Sequence, residues 1–107
     1  MKAGNMIHVL HVERGSNSVN AAGTPVFTWN RIATLRGEVV ERSTEEFLRR
    51  SGETDETTIV FRTRLYRHLR HDDRIAFDGD VFDIEEIISI GRRTGLEIRC
   101  VASGDAP

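Results

Sequence analysis

Four histidines, one cysteine and several neighbouring carboxylates are the residues of this 107-residue chain whose chemistry could extend beyond folding. His8 and His11, and again His68 and His71, share an H-x-x-H spacing. On a helix that spacing would turn two imidazoles toward one ion; along a strand the odd offset sends them to opposite faces. A metal site would also need cysteine or carboxylate partners at matching positions, and Cys100 is the only cysteine. No metal and no cofactor is expected. Asp72-Asp73 and Glu85-Glu86 are adjacent acids, but neighbours in extended chain diverge, which is wrong for an acid–base pair. No Ser, His and acid form a recognisable nucleophile motif, and no glycine loop could cradle a phosphate, so no catalytic residue is assigned. Cys100 alternates with Leu96 and Ile98, which makes it a small buried hydrophobe rather than a reactive thiol.

Charge is the stronger signal. The segment RTRLYRHLRHDDR carries Arg62, Arg64, Arg67, Arg70 and Arg74 with two histidines, against only Asp72 and Asp73. A strip of opposite sign follows in Asp78, Asp80, Asp83, Glu85 and Glu86. The plain reading is a solvated surface with local pairs, each worth little. The alternative is that the basic strip of one copy meets the acidic strip of another, a heterologous contact. DNA contact is the third reading. Fifteen basic residues against seventeen acids leave a net charge of -2, so no overall cationic field draws in nucleic acid. Every basic residue but Lys2 is arginine, the side chain suited to planar pairing at interfaces.

These residues need elements to hold them. The length suits one compact domain over 1–107, with a short flexible tail expected at 103–107. No apolar run approaches a membrane span and the N-terminus has no signal-peptide pattern, so no membrane partner is expected. Residues 7–14 alternate loosely, with Leu10 and Val12 on one face. Residues 15–25 (GSNSVNAAGTP) read as a long exposed loop, uncharged and rich in small residues. Its first part, Gly15, Ser16, Asn17, Ser18, Val19 and Asn20, is a candidate contact to neighbouring subunits or to a lumen. Within 26–42, Ala33, Leu35, Gly37 and Val39 keep period two, and Gly37 suggests a bulge or bend. Ser43-Thr44-Glu45-Glu46 predicts the start of a short helix near 43–50, stopped by Gly52. Residues 58–66 place Ile59, Phe61 and Leu65 on one face.

Asp78-Gly79 predicts a type I′ hairpin that pairs Phe77 with Asp80 and Ile75 with Phe82. A second loop at 91–95 sets Ile90 against Leu96 and Ile88 against Ile98. Both registers put Ile75, Phe77, Phe82, Ile84, Ile88, Leu96 and Ile98 on one apolar face, to be buried with Ile59, Phe61 and Leu65. Glu86 falls on that face too, so either a bulge turns it outward or an arginine pairs with it inside. The fold expected is mainly all-β: a small antiparallel barrel or sandwich of about six strands with one short helix.

The ordered set resembles the phage head–tail joining family, also described as head closure, stopper or head–tail adaptor proteins. The cues are Thr28-Trp29, then Ala33-Thr34-Leu35 leading to Gly37-Glu38-Val39, then Ser43–Arg50 and the arginine-bearing strand. They continue with Asp73-Arg74-Ile75, the hairpin Phe77–Ile84 and a last strand Gly95–Cys100. The resemblance covers about Met6 to Ala102. It implies a non-enzymatic virion protein assembled in the bacterial cytoplasm into the neck of a phage, prophage or gene transfer agent particle. It further implies a ring of copies, a portal or adaptor ring above, and a tail terminator or tail tube below. Genome DNA would pass through the lumen without sequence-specific binding. A single-stranded nucleic-acid-binding barrel of the OB type is the rival. It needs exposed aromatics in a cationic groove, whereas aromatics are 7% of this chain and alternation turns most phenylalanines inward. Another neck protein, such as a tail terminator, is a close variant of the favoured reading.

Overall fold

The computed structural model describes residues 6–49, 52–92 and 94–102. Six antiparallel strands follow one another as β1 (His8–Val19), β2 (Pro25–Arg49), β3 (Gly52–Arg64), β4 (Arg74–Phe77), β5 (Asp80–Ile90) and β6 (Gly95–Ala102). Their order around the sheet is β1-β2-β3-β6-β5-β4, and β1 returns to β4 to close a barrel. The closing ladder is short, with His11 opposite Ala76, Val12 opposite Ile75 and Glu13 opposite Arg74.

The period-two pattern accounts for the core. Leu10, Val12, Ile59, Phe61, Ile75, Phe77, Phe82, Ile84, Leu96, Ile98 and Cys100 form one buried cluster, with Ala33, Leu35, Val39, Leu65 and Ile87 packed against it. Phe61 is central, meeting Phe77 and Phe82 edge-on at centroid distances of 5.2 and 6.1 Å. The β4–β5 hairpin takes the expected register, Ile75 opposite Phe82 and Phe77 opposite Asp80. Asp78 and Gly79 supply the two positive φ angles, 53° and 83°, that a type I′ turn demands.

Four expectations are corrected. The segment expected to be helical near 43–50 is strand as far as it is described, with Ser43 opposite Thr58 and Arg49 opposite Gly52. A helix of that length is marginal alone, and the threonine-rich stretch after Gly52 offers a complete backbone ladder instead. Residues 15–19, read as part of a loop, extend β1, leaving a short turn at 20–24. Asn20 builds that turn: its Oδ1 accepts from the amides of Ala22 and Thr24 at 2.9 and 3.0 Å. Gly37 lies within a continuous ladder, and the bulges of β2 fall at Ile32 and Val40 instead. In β5 a bulge between Ile84 and Glu86 shifts the register by one, so Ile87 rather than Ile88 lies opposite Ile98, and Ile90 lies opposite Gly95. The bulge answers the Glu86 question by turning its side chain outward, where Arg99 meets it at 3.4 Å. The tail expected at 103–107 lies outside the described residues.

Two ribbons project from the barrel. Residues 14–19 of β1 and 25–30 of β2 pair only with each other, as do 44–49 of β2 and 52–57 of β3. They raise the radius of gyration to 15.7 Å, against about 13 Å for a compact domain of this length. The first ribbon leaves the barrel beside the start of β4; the second leaves from the end where β6 finishes.

Candidate functional site

The basic segment divides into arginines that hold the barrel together and arginines that face outward. Arg62 lies between Glu38 and Glu97, with Nη1 and Nη2 at 3.8 and 3.3 Å from their carboxylates. Arg99 joins Glu97 to Glu86 at 3.5 and 3.4 Å. The result is an alternating stripe across β2, β3, β6 and β5, in which strand register sets Glu38, Arg62 and Glu97 side by side and Arg99 beside Glu86, while Glu97 and Arg99 meet along β6. Arg74 is almost fully buried: its Nε donates to Glu13 at 2.7 Å and its guanidinium stacks 4.3 Å from the Trp29 ring. Arg62 and Arg74 are therefore paired within the chain, and Arg74 keeps almost no exposed surface. A carboxylate directly opposite on the neighbouring strand is the signal that identifies both, and it appears only once the pairing is known.

Arg64, Arg67 and Arg70 are exposed. The last two lie in the connection 65–73, which Asp73 anchors. Its buried carboxylate accepts from Arg14 Nε and Nη2 at 2.7 and 2.9 Å and from the Arg70 amide at 2.9 Å. Arg14 also donates to the His68 carbonyl at 2.8 Å. The carboxylate raises the Arg14 pKa, chiefly through that hydrogen bond. Arg14 is the root of the first ribbon, so this fork clamps ribbon and basic connection together. The sequence offered no cue to it, because Arg14 and Asp73 are 59 residues apart.

Asp78, Asp80, Asp83 and Glu85 are all exposed. Asp78 in the hairpin turn and Asp80 just after it lie at the far end of β4 from the basic connection. Opposite charges thus occupy opposite ends of one subunit. Between β1 and the β4–β5 hairpin, on the outer face at the acidic end, lies a groove of about 330 Å3. It is lined by Val9, His11, Glu13, Ala76, Phe77 and Val81 and rimmed by Asp78 and Asp80.

The ribbon candidates Gly15, Ser16, Asn17, Ser18, Val19 and Asn20 sort by face. Ser16 meets Thr28 and Asn30 at 3.4 and 3.0 Å, and Ser18 Oγ donates to the Val26 carbonyl at 3.5 Å, so one face is a polar ladder. The other carries Val19 and Phe27, 67% and 55% exposed, with Trp29 edge-on to Phe27 at 5.3 Å. Phe27 lies across Gly15, where a Cβ would stand 2.2 Å from the ring. Alternation did not reveal Phe27, because a ribbon with no covering layer has no inner face for it to take.

The remaining chemistry is quiet. Burial pushes the Cys100 thiol up to about 12, aided by the charges of Asp83 and Glu85. Among the described residues no three His, Cys, Asp or Glu side chains gather to hold a metal ion.

Known proteins match this arrangement. A subunit of the virion of a native gene transfer agent particle superposes with a TM-score of 0.64 at 18% identity, over 88% of this chain and 89% of that one. The solution structure of protein SF1141 from Shigella flexneri 2a superposes with a TM-score of 0.69, also at 18% identity, over 99% and 100%. Both likenesses are of fold. No curated protein matches the chain in sequence. The model of the phage head completion protein family matches residues 1–103. A closed six-strand barrel with its chemistry in surface charge and a projecting ribbon, matched by that model over nearly its whole length, belongs to the phage head completion protein family, the structural proteins of head–tail joining.

Proposed function

We propose that this head completion protein works as one subunit of a ring in the neck of a phage or gene transfer agent particle. A portal or adaptor ring lies above it and the tail below. The role is structural and needs no catalysis, and genome DNA passes through the lumen unread. The observation that carries the ring is the separation of exposed charge, Arg64, Arg67 and Arg70 at one end of the barrel and Asp78 and Asp80 at the other. The two groups cannot neutralise each other within one chain, and a second copy placed head to tail brings them together. Such a contact is heterologous and closes into a ring when the rotation between copies divides the circle. Asp83 and Glu85 extend the acidic surface along β5.

The charge reversal R67E/R70E tests this reading. Both side chains are exposed, so the purified monomer should keep its fold and melting temperature. Incorporation into particles should be lost, and reversing Asp78 and Asp80 to arginine in the same chain should restore it. Normal incorporation of R67E/R70E would show that these charges serve solubility.

A further inference from the structure

We propose that the first ribbon of one copy docks in the groove of the next, with the Phe27 ring entering between β1 and the β4–β5 hairpin. The inference rests on the head-to-tail reading above and names the contact that holds it.

Three observations select a second copy as the occupant. The first is charge. Residues 15–30 carry no charged side chain, and the groove offers them an apolar part in Val9, Ala76, Phe77 and Val81, beside His11 and Glu13. The ribbon's root, however, is clamped by Arg14 and Asp73 to the connection bearing Arg67 and Arg70, while the groove's rim is Asp78 and Asp80. One rigid approach therefore seats apolar on apolar and basic on acidic.

The second is size. A cavity of roughly 150 Å3 takes a benzene ring, so 330 Å3 admits Phe27 with room for a neighbour such as Val19. The six residues from Arg14 to Val19 span about 20 Å of extended chain, enough to reach past the end of the parent barrel.

The third is area. The exposed large apolar residues of the ribbon are Val19 and Phe27, too few to bury the ~800 Å2 per partner of a stable complex. A contact this small holds only where copies are already neighbours, as they are in a ring.

The groove cannot be filled by its own ribbon. Phe27 lies opposite Asn17, and Val9 is eight residues back along the same strand, about 26 Å away. A disulfide needs Cα atoms within ~7 Å, so cysteines at positions 9 and 27 can join only two different chains. Cys100 is buried with its thiol held neutral and does not compete.

The test is oxidation of assembled particles carrying the double variant V9C/F27C, read on a non-reducing gel. The expected result is a ladder of dimers, trimers and higher multimers. V9C or F27C alone should stop at dimers or give none, since a chain needs both sites to extend. Imaging of the same particles separates the two readings. A visible ring without a ladder overturns the docking and leaves the ring; absence of any ring overturns both. A photo-crosslinking residue at position 27 gives a second readout. Capture of another copy supports the proposal, and capture of a different particle component overturns it.

Discussion

Phe61 touches two other rings and has no exposure, so its removal leaves a hole that a closed barrel cannot collapse to fill. Phe61→Ala should cost about 3–5 kcal/mol in urea unfolding. Phe27→Ser, by contrast, should shift the midpoint little, because that ring is more than half exposed. Cys100 gives a pH signature. Its folded pKa is raised to about 12 from the ordinary thiol value of 9.0, so above pH 9 the unfolded chain releases a proton that the folded one retains. Stability from this group is full below that point and falls as pH rises toward 12, by about 1.4 kcal/mol per pH unit. Cys100→Ala should flatten the decline between pH 9 and 12, which denaturation at several pH values measures. A slope unchanged by the substitution would assign the alkaline loss to other groups. Asp73→Ala removes the acceptor of three hydrogen bonds at once. It should lower the melting temperature and speed amide exchange through 65–73.

At the scale of elements, the β4–β5 hairpin was legible because Asp78-Gly79 is a local instruction and the flanking alternation admits one register. Gly79→Ala should destabilise by roughly 1–2 kcal/mol, since its φ of 83° penalises a side chain. Equal stability would mean that the turn relaxes to another type. The misread elements share a cause. Residues 15–19 and 43–49 belong to ribbons with no covering layer, so their strands lack the apolar alternation that burial imposes. Ser43-Thr44-Glu45-Glu46 matches a helix cap locally, and only the ladder to 52–58 decides otherwise. The one-residue shift in β5 follows from a bulge that no turn residue announces. The charged strips were visible as composition, but the division of arginines into held and free is a property of register. Arg62 and Arg74 could not be told from Arg67 and Arg70 by sequence.

As a whole molecule, the chain presents charge at its ends, an apolar ribbon and a small groove beside the acidic turn, and its large hydrophobic residues are mostly spent inside. Interfaces of that kind are screened at physiological salt and weak one at a time. The purified protein should therefore sediment as a monomer at micromolar concentration, forming its ring on a portal–adaptor platform that holds copies adjacent. A stable ring in solution without partners would refute the dependence on a platform. The closing seam carries a further consequence, in time rather than in space. It consists of three residue pairs, and Glu13 and Arg74 are 61 residues apart, so the chain must close a long loop for a short ladder. The β2–β3 and β5–β6 hairpins can zip locally, whereas the β1–β4 seam gains nothing until both halves stand in place. Folding should thus be slow, on the order of milliseconds to seconds, with the seam formed last. In native-state hydrogen exchange the amides of residues 11–13 and 74–76 should open at lower free energy than those of β3 and β6. The barrel would then have a built-in slit, the place where it gives first under strain.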